Sequence, residues 1–342
     1  MPLTLNNQTN IVVTGSNGFV GRRLVAGLLT RQCNVVGMDL QNTSPGMLPD
    51  IGFRSIACDL QAISSAGESA IADADFVIHL AAKTKSARQS DLLAINTAMT
   101  QSVVNACLRA KDPPVLIFVS SLAACGATVS KQALTESDPC RPRSFYGKSK
   151  LACEALLHDH AGRLPISIVR APIVLGPGDS TGLRLFRSID NWGMHLVPGR
   201  HDASFSVAHV DELVNAMIAV AINGKRISNG DCSRGTYFVS ADETFTYAEL
   251  GRAIGKVLGR ERVRVIHIHE LLIKLLGLLN DGISRVTGKA RYLNSGKLGD
   301  AMAGNWVCSN EKLKSETGFK TLCSFQDRLV ETVVWYRAEG WL

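Results

Sequence analysis

The fold is decided by the stretch Asn10-Ile-Val-Val-Thr-Gly-Ser-Asn-Gly-Phe-Val-Gly21. A short β-branched run leads into three glycines, and residues 22–29 that follow have the pattern of a helix. Gly15 would permit a tight turn, Gly18 would let backbone N–H groups approach a pyrophosphate, and Gly21 would let the helix lie close on the strand. The stretch therefore predicts a strand–loop–helix unit that binds phosphate groups at the helix N-terminus.

Residues 10–120 alternate between short β-branched runs and longer stretches that could be helical. This alternation is typical of βαβ units that build a parallel sheet, so the predicted fold class is α/β with a doubly wound, Rossmann-type sheet. Ligands of such sheets bind beyond the carboxyl ends of the strands, where we expect the site residues. The predicted strands are residues 10–14, 34–39, 54–57, 76–80, 115–120 and 166–170, with a returning strand near 236–239.

A carboxylate ends the second predicted strand, 24 residues after Gly15. There Asp39 can hydrogen-bond the hydroxyl groups of an adenosine ribose, which strengthens the interpretation of the glycine loop. The same carboxylate would repel a ribose 2′-phosphate, so the predicted cofactor is NAD, and NADP is disfavoured. Asp59, after the third strand, is either a partner for the adenine amino group or a residue that caps its own loop. Arg22 and Arg23 are expected on the exposed side of the helix.

The length and composition indicate a globular protein of about two domains. The 342 residues are 46% hydrophobic and 20% charged, with 30 Gly and 11 Pro, which argues against disordered and fibrous proteins. We predict an NAD-binding domain over residues 1–175 with a returning segment near 203–240. A smaller C-terminal substrate-binding region is expected from residues 176–202 and 241–342.

Cysteine usage and hydropathy indicate a cytoplasmic protein. The nine cysteines include no Cys-x-x-Cys pair, which favours reduced thiols and argues against a zinc ribbon, and no metal site is predicted. The first ten residues hold no Lys, no Arg and no apolar run of signal-peptide length. The longest apolar stretch, residues 271–279, is too short to cross a bilayer.

A tyrosine and a lysine stand four residues apart in Tyr146-Gly-Lys-Ser-Lys150. In a helix this spacing places both side chains on one face. A nearby ammonium and an oxidised nicotinamide would lower the pKa of the phenol toward the range useful for acid–base chemistry. Ser121, at the end of the fifth strand, could hydrogen-bond the same substrate oxygen. These three residues are therefore the predicted catalytic group.

Further motifs accompany the glycine loop and Tyr146. They are Cys-Asp-Leu at 58–60, His-Leu-Ala-Ala at 79–82, Asn96, Val-Ser-Ser at 119–121, Glu154, Arg-Ala-Pro at 170–172, Leu-Gly-Pro at 175–177 and His-Val-Asp at 209–211. As a set, over the whole chain, they resemble the extended short-chain dehydrogenase/reductases, the NAD-dependent epimerase/dehydratase superfamily.

The resemblance implies that Ser121, Tyr146 and Lys150 form the catalytic triad and that Asn96 supports it. It also implies a homodimer, formed through the helices that follow Asn96 and Tyr146. The residues implied to bind NAD are Gly15, Gly18, Phe19, Val20, Gly21, Asp39, Asp59, Leu60, Leu80, Ala81, Ala82, Asn96, Tyr146, Lys150 and Pro172.

Two positions depart from the nucleotide-sugar epimerases that the chain resembles. Those enzymes usually have a tyrosine where this chain has Cys125, and they tend to have an arginine for the diphosphate where it has Phe205. The segments 206–213, 306–308 and 335–342 instead resemble a bacterial subgroup similar to 3β-hydroxysteroid dehydrogenase-like and lipid-linked-sugar enzymes. These differences argue against a nucleotide-sugar substrate.

The leading hypothesis is an NAD-dependent oxidoreductase that interconverts a secondary alcohol and a ketone on a lipid-like or lipid-linked small molecule. The alternative is a redox-neutral 4-epimerase of a nucleotide sugar or polyprenyl-linked sugar that retains its NAD. A dehydratase is disfavoured because residues 122–124 offer no acid. A non-catalytic dinucleotide sensor is disfavoured because the serine, tyrosine and lysine are all present.

Basic residues flank the apolar stretch of residues 263–291. Between positions 251 and 300 the chain has ten Lys and Arg residues and four acids. If a helix begins at Glu270, then Leu271, Leu275 and Leu278 share one side with other leucines, and that side could lie on an anionic membrane. The favoured alternative is an ordinary buried helix with solvated basic residues. Nucleic-acid binding is not predicted, because the basic residues lack interleaved aromatic residues.

Overall fold

Seven parallel strands form the central sheet of the computed structural model, which describes residues 5–42, 52–130, 132–199, 203–291 and 293–342. The strands are β1 Asn10–Thr14, β2 Asn34–Asp39, β3 Phe53–Ala57, β4 Phe76–His79, β5 Val115–Ser121, β6 Ile166–Ala171, β7 Ile173–Leu175, β8 Met194–Pro198, β9 Ser204–His209, β10 Thr236–Phe238, β11 Thr244–Thr246 and β12 Arg264–Ile268. The helices are α1 Phe19–Leu29, α2 Ser65–Ala72, α3 Asp91–Arg109, α4 Phe145–His158, α5 Leu183–Trp192, α6 Val210–Asn223, α7 Tyr247–Val257, α8 Glu270–Thr287, α9 Ser295–Ala301, α10 Glu311–Thr317 and α11 Phe325–Ala338.

The strand order of the central sheet is β10-β6-β5-β4-β1-β2-β3, and every pairing is parallel. The predicted α/β class with a Rossmann-type sheet is confirmed, and the predicted strand ends agree with the observed ones within one residue. The chain reverses its winding between β1 and β4, which is the switch point where such sheets bind ligands.

Both faces of the sheet are covered by helices. Successive residues of a strand point to opposite faces. Ile11 and Val13 therefore pack toward α1 and α6, in one apolar cluster with Leu24 and Met217. Val12 packs on the other side, in a cluster with residues of α2, α3 and α4. Because both faces are buried, the strands are nearly continuous apolar runs.

The smaller region lies beyond β6 and is built from two short sheets and several helices. One sheet has the order β11-β9-β7, and the other pairs β12 with β8. Its core includes Phe186 of α5, Leu250 of α7 and Tyr336 of α11. The rings of Phe186 and Tyr336 meet edge to face, with centroids 5.2 Å apart.

Helix α8 begins at Glu270, as the sequence predicted, but the favoured interpretation that it is buried is wrong. Leu271, Leu278 and Val286 are 68%, 65% and 89% exposed, and most of its other leucines are exposed as well. The buried residues of the helix are Ile273, Gly277 and Ser284. The leucines are exposed because α8 packs along the short helix α9, which covers only a narrow strip of the α8 surface.

Helix α8 is also tied to the larger region of the fold. The amide nitrogen of Gln89, just before α3, donates to the Asp281 carboxylate at 2.9 Å. A Cβ added at Gly277 would lie 2.9 Å from the Ser295 Cα atom, so the backbones of α8 and α9 are in close contact. None of the helices in the described ranges is long and apolar enough to cross a bilayer.

Candidate functional site

The carboxyl ends of the parallel strands bring the predicted site residues to one edge of the sheet. Gly15 follows β1, Asp39 ends β2, and Ser121 ends β5. The remaining residues come from the loops after β3, β4 and β6 and from helices α1, α3 and α4, so the topology gathers them at the switch point.

The glycine loop has the geometry that the sequence predicted. Gly15 has a φ of 73°, and its N–H donates to the Met38 carbonyl at 2.8 Å. A Cβ on Gly21 would lie 2.1 Å from the Gly15 carbonyl oxygen, so the helix and the loop meet backbone to backbone. Helix α1 begins with Phe19 and Val20, and its N-cap is Gly18. Because glycine has no side chain, no side-chain cap covers the backbone N–H groups at this end of the helix.

Asp39 lies against this loop. Its Oδ2 atom accepts a hydrogen bond from the Asn17 N–H at 3.0 Å, and its Oδ1 atom accepts one from the Leu40 N–H at 2.8 Å. Arg22 is exposed, as expected, but the expectation for Arg23 is wrong. Arg23 makes a two-pronged ion pair with Asp211 of α6, at 2.8 and 2.6 Å, because the adjacent helix offers a carboxylate.

The loop after β4 closes the other side of the switch point. Its residues Leu80, Ala81 and Ala82 are half-buried. A Cβ on Gly15 would lie 2.9 Å from the Ala81 backbone nitrogen, and the Ala81 N–H donates to the Thr14 hydroxyl at 3.3 Å. The ends of β1 and β4 are therefore fixed to one another.

Beneath this loop, the His79 ring contacts the hydroxyls of Thr14 and Thr100 at 2.7 and 3.3 Å. Complete burial and, to a lesser extent, the charge of Lys150 lower the pKa of His79 to about 3, so the ring is neutral at pH 7.

Asn96 connects the cofactor edge to the catalytic helix. Its side-chain oxygen accepts from the Lys83 N–H at 2.8 Å, and its amide donates to the Lys83 carbonyl at 3.1 Å. The same amide donates to the Ser149 hydroxyl of α4 at 2.9 Å. Asn96 is buried, and its contacts join the loop after β4 to α4. Ser149 was missed at the sequence level, because a small serine inside a helix gives no signal of its partner.

Ser121, Tyr146 and Lys150 lie together. The Ser121 hydroxyl lies near enough to the Tyr146 phenol to affect its pKa, and it accepts a hydrogen bond from the Ala123 N–H at 3.2 Å. Lys150 is 3% exposed, and its ammonium donates to the Val119 carbonyl at 2.8 Å and lies 4.6 Å from the centre of the Phe118 ring. The structure thus brings the three predicted catalytic side chains to the end of β5.

The predicted lowering of the tyrosine pKa is not what these side chains produce by themselves. Burial raises the pKa of Tyr146 to about 12, and the hydrogen bond from Ser121 only partly opposes this effect. Burial also lowers the pKa of Lys150 to about 8. Both shifts follow from desolvation, which disfavours the charged form of either group. The expected lowering depends on the charge of an oxidised nicotinamide as well as on the ammonium, so it stays a prediction for the cofactor-bound protein.

The remaining predicted residues lie at the rim. Asp59 is exposed, and its carboxylate accepts from the Gln61 N–H at 2.9 Å, so it caps its own loop. Leu60 beside it is buried. Pro172 is half-buried between β6 and β7. The described residues place all three at the carboxyl edge of the sheet.

A buried ion pair supports the catalytic helix from below. The guanidinium of Arg170 on β6 donates to both carboxylate oxygens of Glu154 on α4, at 3.1 and 2.6 Å, and the Ser120 hydroxyl donates to the same carboxylate. Removing one partner of such a pair leaves an uncompensated buried charge, which typically costs about 3–5 kcal/mol. The pair therefore holds α4 against the strand that ends in Ser121.

The edge of the sheet fits a dinucleotide on structural grounds. A side chain at Gly15 or Gly21 would collide with neighbouring backbone atoms, so glycine is needed at both positions of the loop. The dipole of α1 favours an anion at its N-terminus, beside this loop. Asp39 ends β2, which pairs with β1, so its carboxylate lies about one strand spacing from the glycine loop. A ribose that adjoins the pyrophosphate would lie near this carboxylate. The residues present are therefore those that would hold NAD.

Comparisons with known proteins agree with this fit. The model of the NAD dependent epimerase/dehydratase family matches residues 11–232. The chain is 25% identical to the ceramide reductase of Caulobacter vibrioides, with 97% of this chain and 96% of that protein covered. It is 28% identical to the UDP-glucose 4-epimerase of Vibrio cholerae, with 82% of this chain and 85% of that protein covered. Reductases and epimerases thus both occur among the relatives.

Solved structures share the fold. An epimerase from Methanothermobacter thermautotrophicus is 17% identical, with a TM-score of 0.76 and 98% of this chain and 94% of that chain covered. The UDP-glucuronic acid 4-epimerase of Bacillus cereus, solved with NAD, is 20% identical, with a TM-score of 0.74 and 96% and 99% covered.

Proposed function

Because the chain belongs to the NAD-dependent epimerase/dehydratase family, we propose that it is an oxidoreductase that interconverts a secondary alcohol and a ketone. The observation that carries the proposal is the placement of Ser121 at the end of β5 with Tyr146 and buried Lys150 on α4, at the same edge of the sheet as the glycine loop. The proposed substrate is lipid-like or lipid-linked.

Each of the three side chains has a distinct proposed part. When bound, NAD supplies the two-electron chemistry by exchanging hydride at its nicotinamide ring. Tyr146 donates a proton to the substrate oxygen as the phenol, or accepts one from it as the phenolate. The Ser121 hydroxyl orients that oxygen. The Lys150 ammonium, whose direction is fixed by the Val119 carbonyl, binds the cofactor ribose and favours the phenolate during turnover.

NAD is the proposed cofactor in preference to NADP. Asp39 places a carboxylate at the end of β2, where a 2′-phosphate would be repelled. Arg23, one of the two arginines of α1 that could offset this repulsion, is engaged by Asp211. Arg22 donates through its Nε atom to the Asn17 carbonyl, which holds part of its guanidinium at the loop.

The surroundings of helix α8 support the lipid-like substrate. An opening of about 360 Å³ lies between Arg143 and Ser144 at the start of α4, Glu270 and Lys274 on α8, and α9. It reaches the N-cap of the catalytic helix, two residues before Tyr146. A shallow groove of about 460 Å³ along α8 is lined almost wholly by apolar side chains. The groove would hold an apolar group on α8, and the separate opening would give a substrate access to the start of the catalytic helix.

We further propose that the exposed face of α8 rests on an anionic membrane surface. The apolar side chains would enter the boundary between headgroups and acyl chains, as in other amphipathic helices. Basic residues follow this face at Arg285, Lys289 and Arg291, and another basic cluster precedes β12, around Lys256 and Arg262. Their charge complements anionic headgroups, each contributing about 1 kcal/mol near the surface.

The redox-neutral 4-epimerase is the second candidate, and one observation favours it. Burial, together with Lys85 and Arg184, lowers the pKa of Lys297 to about 8, although Asp179 opposes this, so three cations and one carboxylate lie near one another at α9. Such a cluster would receive a diphosphate even though Phe205, where related epimerases tend to carry arginine, is buried and packs on Tyr247 with ring centroids 4.6 Å apart.

The proposed assembly is a homodimer formed through α3 and α4. These two helices pack on one another, and each exposes an apolar side chain, Leu93 on α3 and Phe145 on α4. Light scattering on the purified protein measures the assembly directly, and a monomeric mass at micromolar concentration would contradict it.

Replacement of the proposed proton donor tests the mechanism. We expect Tyr146→Phe to lower turnover by at least about 100-fold, because general acid–base catalysis contributes about 10²–10⁴-fold. NADH affinity should stay within about twofold, because the ring remains in place. Turnover is measured on the best substrate from a screen of long-chain secondary alcohols, hydroxysteroids, and nucleotide and lipid-linked sugars. The control is Lys148→Ala, an exposed residue of the same helix; Tyr146→Phe turnover equal to that of the control would refute the mechanism.

Cofactor choice can be tested through Asp39→Ala. The loss of charged hydrogen bonds should weaken NAD binding by about 10-fold or more, since such bonds contribute about 1.5–3 kcal/mol. NADP binding should weaken less or improve, because the repulsion is removed. Asp112→Ala, at the opposite edge of the sheet, is the matched control. Equal weakening of both cofactors in fluorescence titrations would argue against a part for Asp39 in discrimination.

The two candidate reactions differ in whether NAD leaves the protein. For the net oxidoreductase we expect protein free of NAD after exhaustive dialysis, and reversible NADH binding. Absorbance spectra and cofactor analysis after denaturation, before and after dialysis, measure this. NAD retained through dialysis would instead favour the epimerase.

Vesicle cosedimentation tests the membrane proposal. The protein should bind vesicles that contain phosphatidylglycerol more strongly than pure phosphatidylcholine vesicles, and less at high salt, because the headgroup attraction is screened. The triple variant Leu275→Ser, Leu278→Ser and Leu279→Ser should lower partitioning by about 10-fold or more, since each loses buried apolar area in the lipid. The control replaces Val129 and Leu322, exposed apolar residues elsewhere, by serine. A wild-type dimer that the triple variant dissociates would show that a second copy covers α8 instead.

A further inference from the structure

Two thiols lie side by side next to the catalytic serine. Cys125 directly follows the short 3₁₀-helix Leu122–Ala124, whose N-cap is Ser121. The sulfur of Cys140 lies 3.5 Å from the sulfur of Cys125. The two backbones are also joined, because the Arg141 N–H donates to the Cys125 carbonyl at 2.6 Å.

The chain around the thiols leaves little freedom for them to separate. A Cβ added at Gly126 would lie 2.2 Å from the Arg141 carbonyl oxygen, so the two chain segments that carry the thiols are in backbone contact. Cys125 is 5% exposed, whereas Cys140 is half-buried and can be reached from solvent. The pair therefore has one accessible sulfur and one sheltered sulfur behind it.

The charged groups that face the pair are Arg170 and Glu154. The hydrogen bond from Cys125 and the positive charge of Arg170 lower the pKa of Cys140 to about 7, although burial and Glu154 oppose this. The hydrogen bond and burial raise the pKa of Cys125. Cys140 is therefore the sulfur that carries thiolate character near neutral pH, and the thiolate is the nucleophile in thiol chemistry.

We propose that Cys125 and Cys140 form a reversible thiol–disulfide site at the end of the short helix that follows Ser121, and that it reacts with low-molecular-weight disulfides such as oxidised glutathione. The site stands on the positions of the two sulfurs and does not depend on which substrate the enzyme takes.

The exchange is balanced in atoms and electrons. The Cys140 thiolate attacks one sulfur of oxidised glutathione, the glutathione S–S bond breaks, and one glutathione thiolate leaves with a mixed disulfide formed. The Cys125 sulfur then attacks the Cys140 sulfur, and the second glutathione leaves and takes up the Cys125 proton. The two cysteines are oxidised by two electrons, and one oxidised glutathione is reduced to two thiols.

Disulfide formation would act on the catalytic residues through the short helix. A disulfide needs a sulfur separation of about 2.05 Å, so the two sulfurs must approach by about 1.5 Å. Cys125 ends the helix that Ser121 begins. A Cβ on Gly147 would lie 2.2 Å from the Ala123 carbonyl oxygen, so the first turn of α4, with Tyr146, rests on the same helix. Movement there changes the relation of Ser121 to Tyr146.

Two other cysteines serve as comparisons. Cys308 lies in the same apolar cluster as Cys125, but burial raises its pKa to about 12, which keeps it a thiol. Cys232 is exposed and would take glutathione as a mixed disulfide. Only an intramolecular link between positions 125 and 140 matches the proposal.

The experiment treats the full-length reduced protein with oxidised and reduced glutathione at pH 7, blocks free thiols, and maps peptides without reduction. We expect a peptide that links Cys125 to Cys140, about 2 Da lighter than the sum of its reduced parts. Cys140→Ser should abolish the link, and Cys125→Ser should leave glutathione on Cys140. Cys232→Ser, the matched control, should retain the link.

Turnover provides the second measurement. Oxidised wild-type protein should lose several-fold in turnover and regain it with dithiothreitol, whereas Cys140→Ser should not respond to glutathione. If the peptide map of the wild-type protein shows modification of Cys232 alone, or a link from Cys125 to Cys308, the proposal is overturned without any measurement on the variants. Unchanged turnover in the fully linked protein would overturn its connection to catalysis.

Discussion

The functional edge of this protein depends on the close approach of three backbone segments at the end of β1. Gly15 lies against the Ala81 backbone on one side and against Gly21 on the other. The Gly15 N–H is held by the Met38 carbonyl of β2. If any of these segments moved outward by the width of a methyl group, α1 would no longer point its N-terminus at the crevice between β1 and β4.

The sequence predicted the features that short-range physics determines. The strands are buried on both faces, so β-branched runs such as residues 10–14 mark them within a residue. The glycine loop and the pair of Tyr146 and Lys150 are local, and their spacing carries their geometry. Other features come from the tertiary structure. The periodicity of α8 predicts an apolar side but not whether another element covers it, and the separation of 15 positions between Cys125 and Cys140 does not reveal that the sulfurs meet.

The electrostatics of the site show the same division. Charge attraction can be predicted from the four-residue spacing, but desolvation depends on how deeply each group is packed. The structure buries Lys150 against Phe118 and Val119, and burial displaces the pKa values of Lys150 and Tyr146 in opposite directions. At pH 7 Tyr146 is therefore a neutral phenol, whereas Lys150 still carries most of its charge. A change in the charge near the phenol is needed to favour the phenolate.

The contacts of Asn96 have a consequence for how this protein can diversify. Asn96 binds the backbone of Lys83, Lys150 binds the carbonyl of Val119, and the glycine loop is positioned by main-chain atoms. The half of the crevice around the glycine loop is thus shaped largely by peptide groups, which every sequence carries. The opposite half is lined by side chains that are largely exposed on α8 and half-buried on α9. Evolution or a protein engineer can therefore change the residues of α8 and α9 one by one while the glycine loop keeps its shape.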